Sequence, residues 1–191
     1  MPMDRYVITG KQRLEGKIRT SGAKNASLPL LAASLLVEGK STLLDIPRLA
    51  DIFSMIEVLE NLGAKVDFQG EALIVDSTDV SRWEVEETLM RQMRASNLIL
   101  GPLLARNGRV RLSKPGGCAI GSRPMYQHIK GLKEMGVKVK ERHGYIEASV
   151  DQLKGAGIYL DVPSVGATEN LMMAAVLAKG TTTIYNAARE P

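Results

Sequence analysis

One cysteine, Cys118, stands in the stretch Pro-Gly-Gly-Cys-Ala-Ile-Gly-Ser-Arg-Pro at residues 115–124, and its neighbours make it a candidate for chemistry. Gly116, Gly117 and Gly121 offer little bulk to bury a thiol, and Arg123 brings a guanidinium close, which favours the thiolate. The same glycines leave backbone N–H groups open to an anion, and Pro124 suits the first turn of a helix whose N-terminus attracts negative charge. Phosphate chemistry is the first expectation. A lone cysteine is more commonly a buried structural residue on a tight turn; three glycines around this one favour an accessible loop.

The elements that must hold such a loop are legible as a repeat. An apolar helical run closing on a glycine, followed by a short strand, occurs at residues 30–39, 98–108 and 172–180. The closing glycines, Gly39, Gly108 and Gly180, recur at roughly seventy residues, which is the length of a supersecondary unit. A second marker repeats at the same period: Leu-Gly-Ala-Lys-Val at residues 62–66 and Met-Gly-Val-Lys-Val at residues 135–139. Ile52, Ile56, Leu59 and Leu62 before the first, and Ile129, Leu132 and Met135 before the second, have helical spacing, and Gly63 and Gly136 suit the left-handed cap position. Strands are predicted over 65–68 with 72–75 and over 138–139 with 145–148. Each unit reads strand, helix, strand, helix, strand, strand. The third has a helix around 167–178 and a strand at 181–185, and the chain ends at Pro191; the expectation is a fragment of a longer polypeptide, truncated within its third repeat.

Composition excludes some classes. The 191 residues are 45% hydrophobic and 24% charged, enough for a sizeable core in one or two domains. One cysteine rules out an internal disulfide framework and points to a reducing cytoplasm. The longest apolar run, residues 28–37, is too short for a membrane span, and no signal-peptide core follows Met1. A net charge of +4 invites a nucleic-acid partner, but Arg109 and Arg111 alternate with Val110 and Leu112, and Lys138, Lys140 and Arg142 alternate around Val139. That is the solvated face of half-buried strands. With 4% aromatics, stacking surfaces are scarce, and neither nucleic acid nor membrane is expected as a partner.

Five motifs occur together in order: Ser-Gly-Ala-Lys-Asn-Ala at 21–26, Met-Arg-Ala-Ser at 93–96, the 115–124 loop, Ser-Val-Gly-Ala-Thr at 164–168 and Asn-Ala-Ala-Arg-Glu-Pro at 186–191. Together they resemble the UDP-N-acetylglucosamine 1-carboxyvinyltransferases, the enolpyruvyl transferases that open peptidoglycan synthesis, over essentially the whole chain, from an opening strand near Tyr6 to Pro191. The resemblance implies an α/β fold, an inside-out α/β barrel of βαβαββ-like repeats. It also implies that residues 1–20 open a catalytic domain otherwise absent, and that residues 21–191 form the UDP-sugar-side domain of three repeats, the third incomplete.

The reaction so implied moves enolpyruvate from phosphoenolpyruvate to the sugar 3′-hydroxyl of UDP-N-acetylglucosamine and releases phosphate, by addition and then elimination, with no metal or organic cofactor. Phosphoenolpyruvate carries a carboxylate and a phosphate, so its site must gather cations; Lys24, Arg94 and Arg123 occupy the family's positions for this. Exposed lysines and arginines are also common without function. Cys118 matches the loop cysteine to which the family assigns general-acid work, a phosphoenolpyruvate adduct and alkylation by the inhibitor fosfomycin. Asn25 matches a substrate-contacting asparagine. Arg123, Pro124, Met125, Tyr126 and Gln127 fall where the family lines its uracil pocket, with Tyr126 replacing the usual aspartate. Ser164, Val165 and Gly166 match the turn facing the diphosphate; a plain helix cap by Ser164 or Thr168 is the simpler reading of that segment. His128 falls near the start of the helix after Pro124, where it would help place the loop; His143 precedes Gly144 in a turn, and Trp83 reads as a packing or surface residue rather than a ligand-binding one.

Three alternatives are kept. The shikimate-pathway enolpyruvyl transferases share fold and donor, but the Pro-Gly-Gly-Cys loop and the Ser-Val-Gly-Ala-Thr segment favour the UDP-sugar branch. An RNA 3′-phosphate cyclase would call for a catalytic histidine region that this chain does not show. A non-catalytic UDP-sugar-binding half is the reading from another class. The general-base aspartate for the sugar hydroxyl belongs to the family's second half.

Overall fold

A computed structural model of the chain describes residues 5–11, 13–113 and 125–189. Cys118, Arg123 and Pro124 lie outside these, as do the side chains of residues 92, 94 and 95.

The apolar spacing at residues 52–62 forms α2 (Ala50–Leu62), which buries Ile52, Met55, Ile56, Leu59 and Leu62 on one face and is capped by left-handed Gly63. It follows α1 (Lys24–Ala33) and β1 (Lys40–Leu44), and leads into the hairpin β2 (Lys65–Gln69) and β3 (Ala72–Asp76). The strands form an antiparallel sheet in the order β1-β3-β2, with Leu44 and Gln69 both opposite Ala72.

The second unit repeats that order. A 3₁₀ turn (Arg94–Ile99) runs into α4 (Leu100–Asn107) and β4 (Arg109–Ser113); α5 (Tyr126–Glu134), β5 (Lys138–Arg142) and β6 (Tyr145–Ser149) follow, and the sheet is β4-β6-β5. The short α3 (Glu87–Gln92) precedes the 3₁₀ turn. In the third unit β7 (Gly157–Tyr159) lies parallel to β8 (Thr183–Tyr185), and α6 (Val165–Ala175) connects them. A parallel bridge from Glu84 to Arg111 places the chain beside β4 as β7 lies beside β8.

The alternation is realised along β4, while in β5 it is confined to half-buried Val139 between exposed Lys138 and Lys140. Val110 and Leu112 are buried, while Arg109 stacks on Trp83 at 4.8 Å and Arg111 lies 4.2 Å over Tyr145 and pairs with Glu84 and Glu147. These cations are engaged by neighbours in and beside their own sheet, as a solvated strand face requires.

Helices fill the centre. α4 packs on α6, α6 on α5, and α1 on both α2 and the 3₁₀ turn, with Leu31, Leu103, Leu104 and Leu171 at 0–1% exposure. The α4–α6 crossing is close enough to demand glycine: a Cβ on Gly101 would stand 2.2 Å from the Asn170 carbonyl oxygen.

Three local expectations differ. The opening strand near Tyr6 is not formed; residues 5–11 and 13–20 carry neither helix nor strand, and Tyr6, Val7 and Ile8 are exposed, because no strand lies beside them among the described residues. The first apolar helix ends at Ala33 and tightens into a 3₁₀ turn (Ser34–Leu36), where the Ser34 hydroxyl donates back to the Leu31 carbonyl at 2.6 Å. α6 stops at Ala175 because the Lys179 N–H is drawn to the Leu153 carbonyl at 2.8 Å and the Lys179 carbonyl accepts from Gly155 at 2.9 Å.

Candidate functional site

Lys24 is the first residue of α1 and Asn25 the second. The helix begins where it does because Gly22 lets the chain pass the Asp45 carbonyl, which a Cβ at this position would meet at 1.7 Å. The N-cap residue Ala23 offers no side-chain acceptor, so its carbonyl alone receives the N–H groups of Ala26 and Ser27, at 3.2 and 2.9 Å. A helix N-terminus in this state favours an anion. Pro29, lacking an N–H, cannot give the Asn25 carbonyl its usual helical partner. Lys24 adds a charge to that end, held by Asp51 in the first turn of α2 with Nζ 2.5 Å from Oδ2. Both side chains are about half-buried, and Asn25 is exposed.

Arg94 opens the 3₁₀ turn against which α1 packs, so the backbone brings the Lys24 and Arg94 elements together. Asn97 in the same turn donates to the Met125 sulfur at 3.7 Å, which joins the turn to the start of α5. There Tyr126 is exposed, and the Gln127 side-chain oxygen accepts from the Asp161 N–H at 3.2 Å. Lys130, one turn on, forms an ion pair with the Asp161 carboxylate, which holds its ammonium above the usual lysine pKa. The first turn of α5 is thereby tied to the chain that enters α6.

Ser164 caps α6: its hydroxyl oxygen accepts from the Ala167 N–H at 3.4 Å, and its carbonyl accepts from the Thr168 N–H and hydroxyl at 2.9 and 2.8 Å. The simpler helix-cap reading is therefore realised, and it leaves Val165 and Gly166 in the first turn of α6. Thr168 in turn receives the Ala188 N–H at 3.1 Å, and Asn186 donates to the Leu160 carbonyl at 3.0 Å, which places the Asn186 motif beside the Ser164 motif. Just beyond, burial pushes the Glu169 carboxyl above the ordinary carboxylate range.

Four of the five motifs thus lie on linked elements: the starts of α1, the 3₁₀ turn and α6, and the segment after β8. Cys118, Arg123 and Pro124 of the fifth lie outside the described residues. Sequence reasoning missed Asp51, the partner of Lys24, and the buried pair Asn97 and Asn170, which are 73 residues apart. Gly63 and Gly136 have that same spacing, and the period was the signal that could have found the asparagines. Among the described residues no cluster of three His, Cys, Asp or Glu is placed to hold a metal, and no helix is long and apolar enough to cross a membrane.

Comparison with known proteins adds a family. The profile described as EPSP synthase (3-phosphoshikimate 1-carboxyvinyltransferase) matches residues 8–191. The UDP-N-acetylglucosamine 1-carboxyvinyltransferase 2 of Carboxydothermus hydrogenoformans is 54% identical over 189 residues, covering 99% of this chain and 45% of the relative. The UDP-N-acetylglucosamine 1-carboxyvinyltransferase of Acinetobacter baylyi is 51% identical over 190 residues, 99% of this chain and 46% of the relative. The chain therefore spans just under half the length of these relatives. Among solved structures, the enolpyruvyl transferase NikO from Streptomyces tendae superposes with a TM-score of 0.77 at 24% identity, over 92% of this chain and 41% of that one. An EPSP synthase from Acinetobacter baumannii gives 0.67 at 18% identity, over 88% and 40%. At these identities the structures speak for the fold alone.

Proposed function

We propose, from the premise that this chain belongs to the EPSP synthase (3-phosphoshikimate 1-carboxyvinyltransferase) family, that it supplies the UDP-sugar side of an enolpyruvyl transferase acting on UDP-N-acetylglucosamine. The observation that carries this reading is identity above half, along all but a residue or two of the chain, with relatives that bear the name of that enzyme.

In this reading the protein transfers enolpyruvate from phosphoenolpyruvate to the sugar 3′-hydroxyl, with release of phosphate, in the cytoplasm, as the entry to peptidoglycan synthesis. The units form part of an inside-out barrel; residues 1–20 belong to the catalytic domain and 21–191 to the UDP-sugar domain. Recurrence of one sheet order, β1-β3-β2 and β4-β6-β5, supports the repeat.

Lys24, at the open start of α1, together with Arg94 and Arg123, receives the phosphate and carboxylate of the donor. Asp51 holds the Lys24 ammonium until an anion competes for it. Asn25 contacts substrate. Arg123, Pro124, Met125, Tyr126 and Gln127 line the uracil, and Ser164, Val165 and Gly166 face the diphosphate at the start of α6, where backbone N–H groups and the helix dipole favour negative charge. Cys118 protonates the enol carbon as general acid and is the thiol that fosfomycin alkylates. Neither a metal nor an organic cofactor takes part.

The test is a calorimetric titration of the chain with UDP-N-acetylglucosamine and, separately, shikimate 3-phosphate. The sugar nucleotide is expected to bind and the shikimate ester not; the reverse selectivity overturns the reading.

A further inference from the structure

The residues proposed to bind substrate sit on several helical segments, and one buried amide on α6 bonds to two of the others, the 3₁₀ turn and α5, and to α4 as well. Asn170, on α6, has no exposed surface. Its side-chain oxygen accepts from the Gly101 N–H at the start of α4 at 2.8 Å, and its nitrogen donates to the Asn97 carbonyl in the 3₁₀ turn at 3.1 Å. A backbone N–H can only donate and a carbonyl can only accept, so these two partners fix which end of the Asn170 amide is which. The remaining contact follows. The same Asn170 nitrogen lies 3.1 Å from His128 Nδ1, and because that nitrogen is a donor, Nδ1 must be the acceptor.

An imidazole accepting at Nδ1 is neutral there and carries its proton on Nε2. The ring is buried at the start of α5, and its Cε1–Nε2 edge lies against the diphosphate turn: a Cβ built on Gly166 would stand 3.5 Å from Cε1 and 3.7 Å from Nε2.

We propose that Asn170 is a positioning residue of the sugar-nucleotide site: by holding His128 as the Nε2–H tautomer it seats the first turn of α5 against the Ser164–Gly166 turn, and with the same amide it anchors the Arg94 turn to α6. The ligand consequence rests on the function proposed above; the tautomer does not. A buried donor or acceptor left without its partner costs far more than the bond itself contributes, so this hub tolerates one arrangement of the three segments.

The chain has two histidines, so nitrogen-15 imidazole spectra of the 191-residue protein, assigned with His143→Gln, read the tautomer directly. The wild type is expected to show a neutral His128 with Nε2 protonated. Asn170→Asp keeps the shape and the bond to Gly101 but replaces the donor with a carboxylate oxygen facing both the Asn97 carbonyl and Nδ1; the spectra should then show Nδ1 of His128 protonated. The same variant should raise the dissociation constant for UDP-N-acetylglucosamine at least about ten-fold, the order of effect expected when binding groups are displaced by a fraction of an ångström. Should Asn170→Asp not fold, a second pair decides: His128→Gln, which returns an acceptor to Asn170, is expected to bind the sugar nucleotide more tightly than His128→Leu. A wild-type His128 protonated on Nδ1 overturns the proposal. So does undiminished affinity in Asn170→Asp, or equal affinity in the two His128 variants. A wild type that fails to bind UDP-N-acetylglucosamine overturns the functional reading instead, and the spectra then judge the role of Asn170 alone.

Discussion

Lys24 and Asp51 form an ion pair at the open start of α1, where the proposed function puts a binding cation. The pair is half-exposed, so its own contribution to stability is small, on the order of 1 kcal/mol or less. Asp51→Asn should therefore leave the melting temperature almost unchanged while altering affinity for phosphoenolpyruvate, measured by titration in the presence of the sugar nucleotide; an unaltered affinity would separate Asp51 from the site. Gly101 makes the opposite case. A methyl group there meets the Asn170 carbonyl at 2.2 Å, so Gly101→Ala should destabilise the fold by about 1–3 kcal/mol or more in a urea melt. Residue type and motif singled out Lys24, Asn25, Arg94 and Ser164 as candidates. They did not single out Asp51, Asn97 and Asn170, because the roles of these three consist of contacts 27 to 73 residues away in sequence. Residue type alone says nothing about such partners.

At the scale of elements, helices read more accurately than their ends. The spacing of Ile52, Ile56, Leu59 and Leu62 located α2, since one buried stripe fixes a helical period. The ends of α1 and α6 were misplaced because Ser34 and Lys179 bond to specific carbonyls that periodicity does not reveal. Glu169 on α6 gives a pH prediction. Its folded pKa is raised by burial above an ordinary value of 4.5, so between the two values the folded state holds a proton that the unfolded chain has released. Stability from this group is greatest below the unfolded value and falls as pH rises through the folded one. Glu169→Gln should flatten that fall and make the protein more stable near neutrality, as read from urea midpoints from about pH 4 to about pH 8. A variant with the wild-type pH profile would contradict the burial argument. Ser164→Ala removes the cap of α6 and should cost about 1 kcal/mol.

Over the whole molecule, two units share a strand order and a third brings α6 and the parallel pair β7–β8, so residues far apart in sequence meet at the starts of central helices. The shared strand order of the first two units was legible because its markers, a closing glycine and a Gly-x-Lys-Val turn, recur about seventy residues apart. The absence of a strand near Tyr6 was not, since a strand exists only by virtue of its neighbour. Because the chain spans 45% of the Carboxydothermus hydrogenoformans relative, catalysis is best tested in that context. The decisive measurement is phosphate release from phosphoenolpyruvate by a hybrid in which this chain replaces the matching 189 residues of that relative, with each acceptor supplied in turn. The account predicts release that depends on UDP-N-acetylglucosamine and is abolished when fosfomycin modifies the peptide containing Cys118; release that depends on shikimate 3-phosphate, with none from the sugar nucleotide, would contradict it.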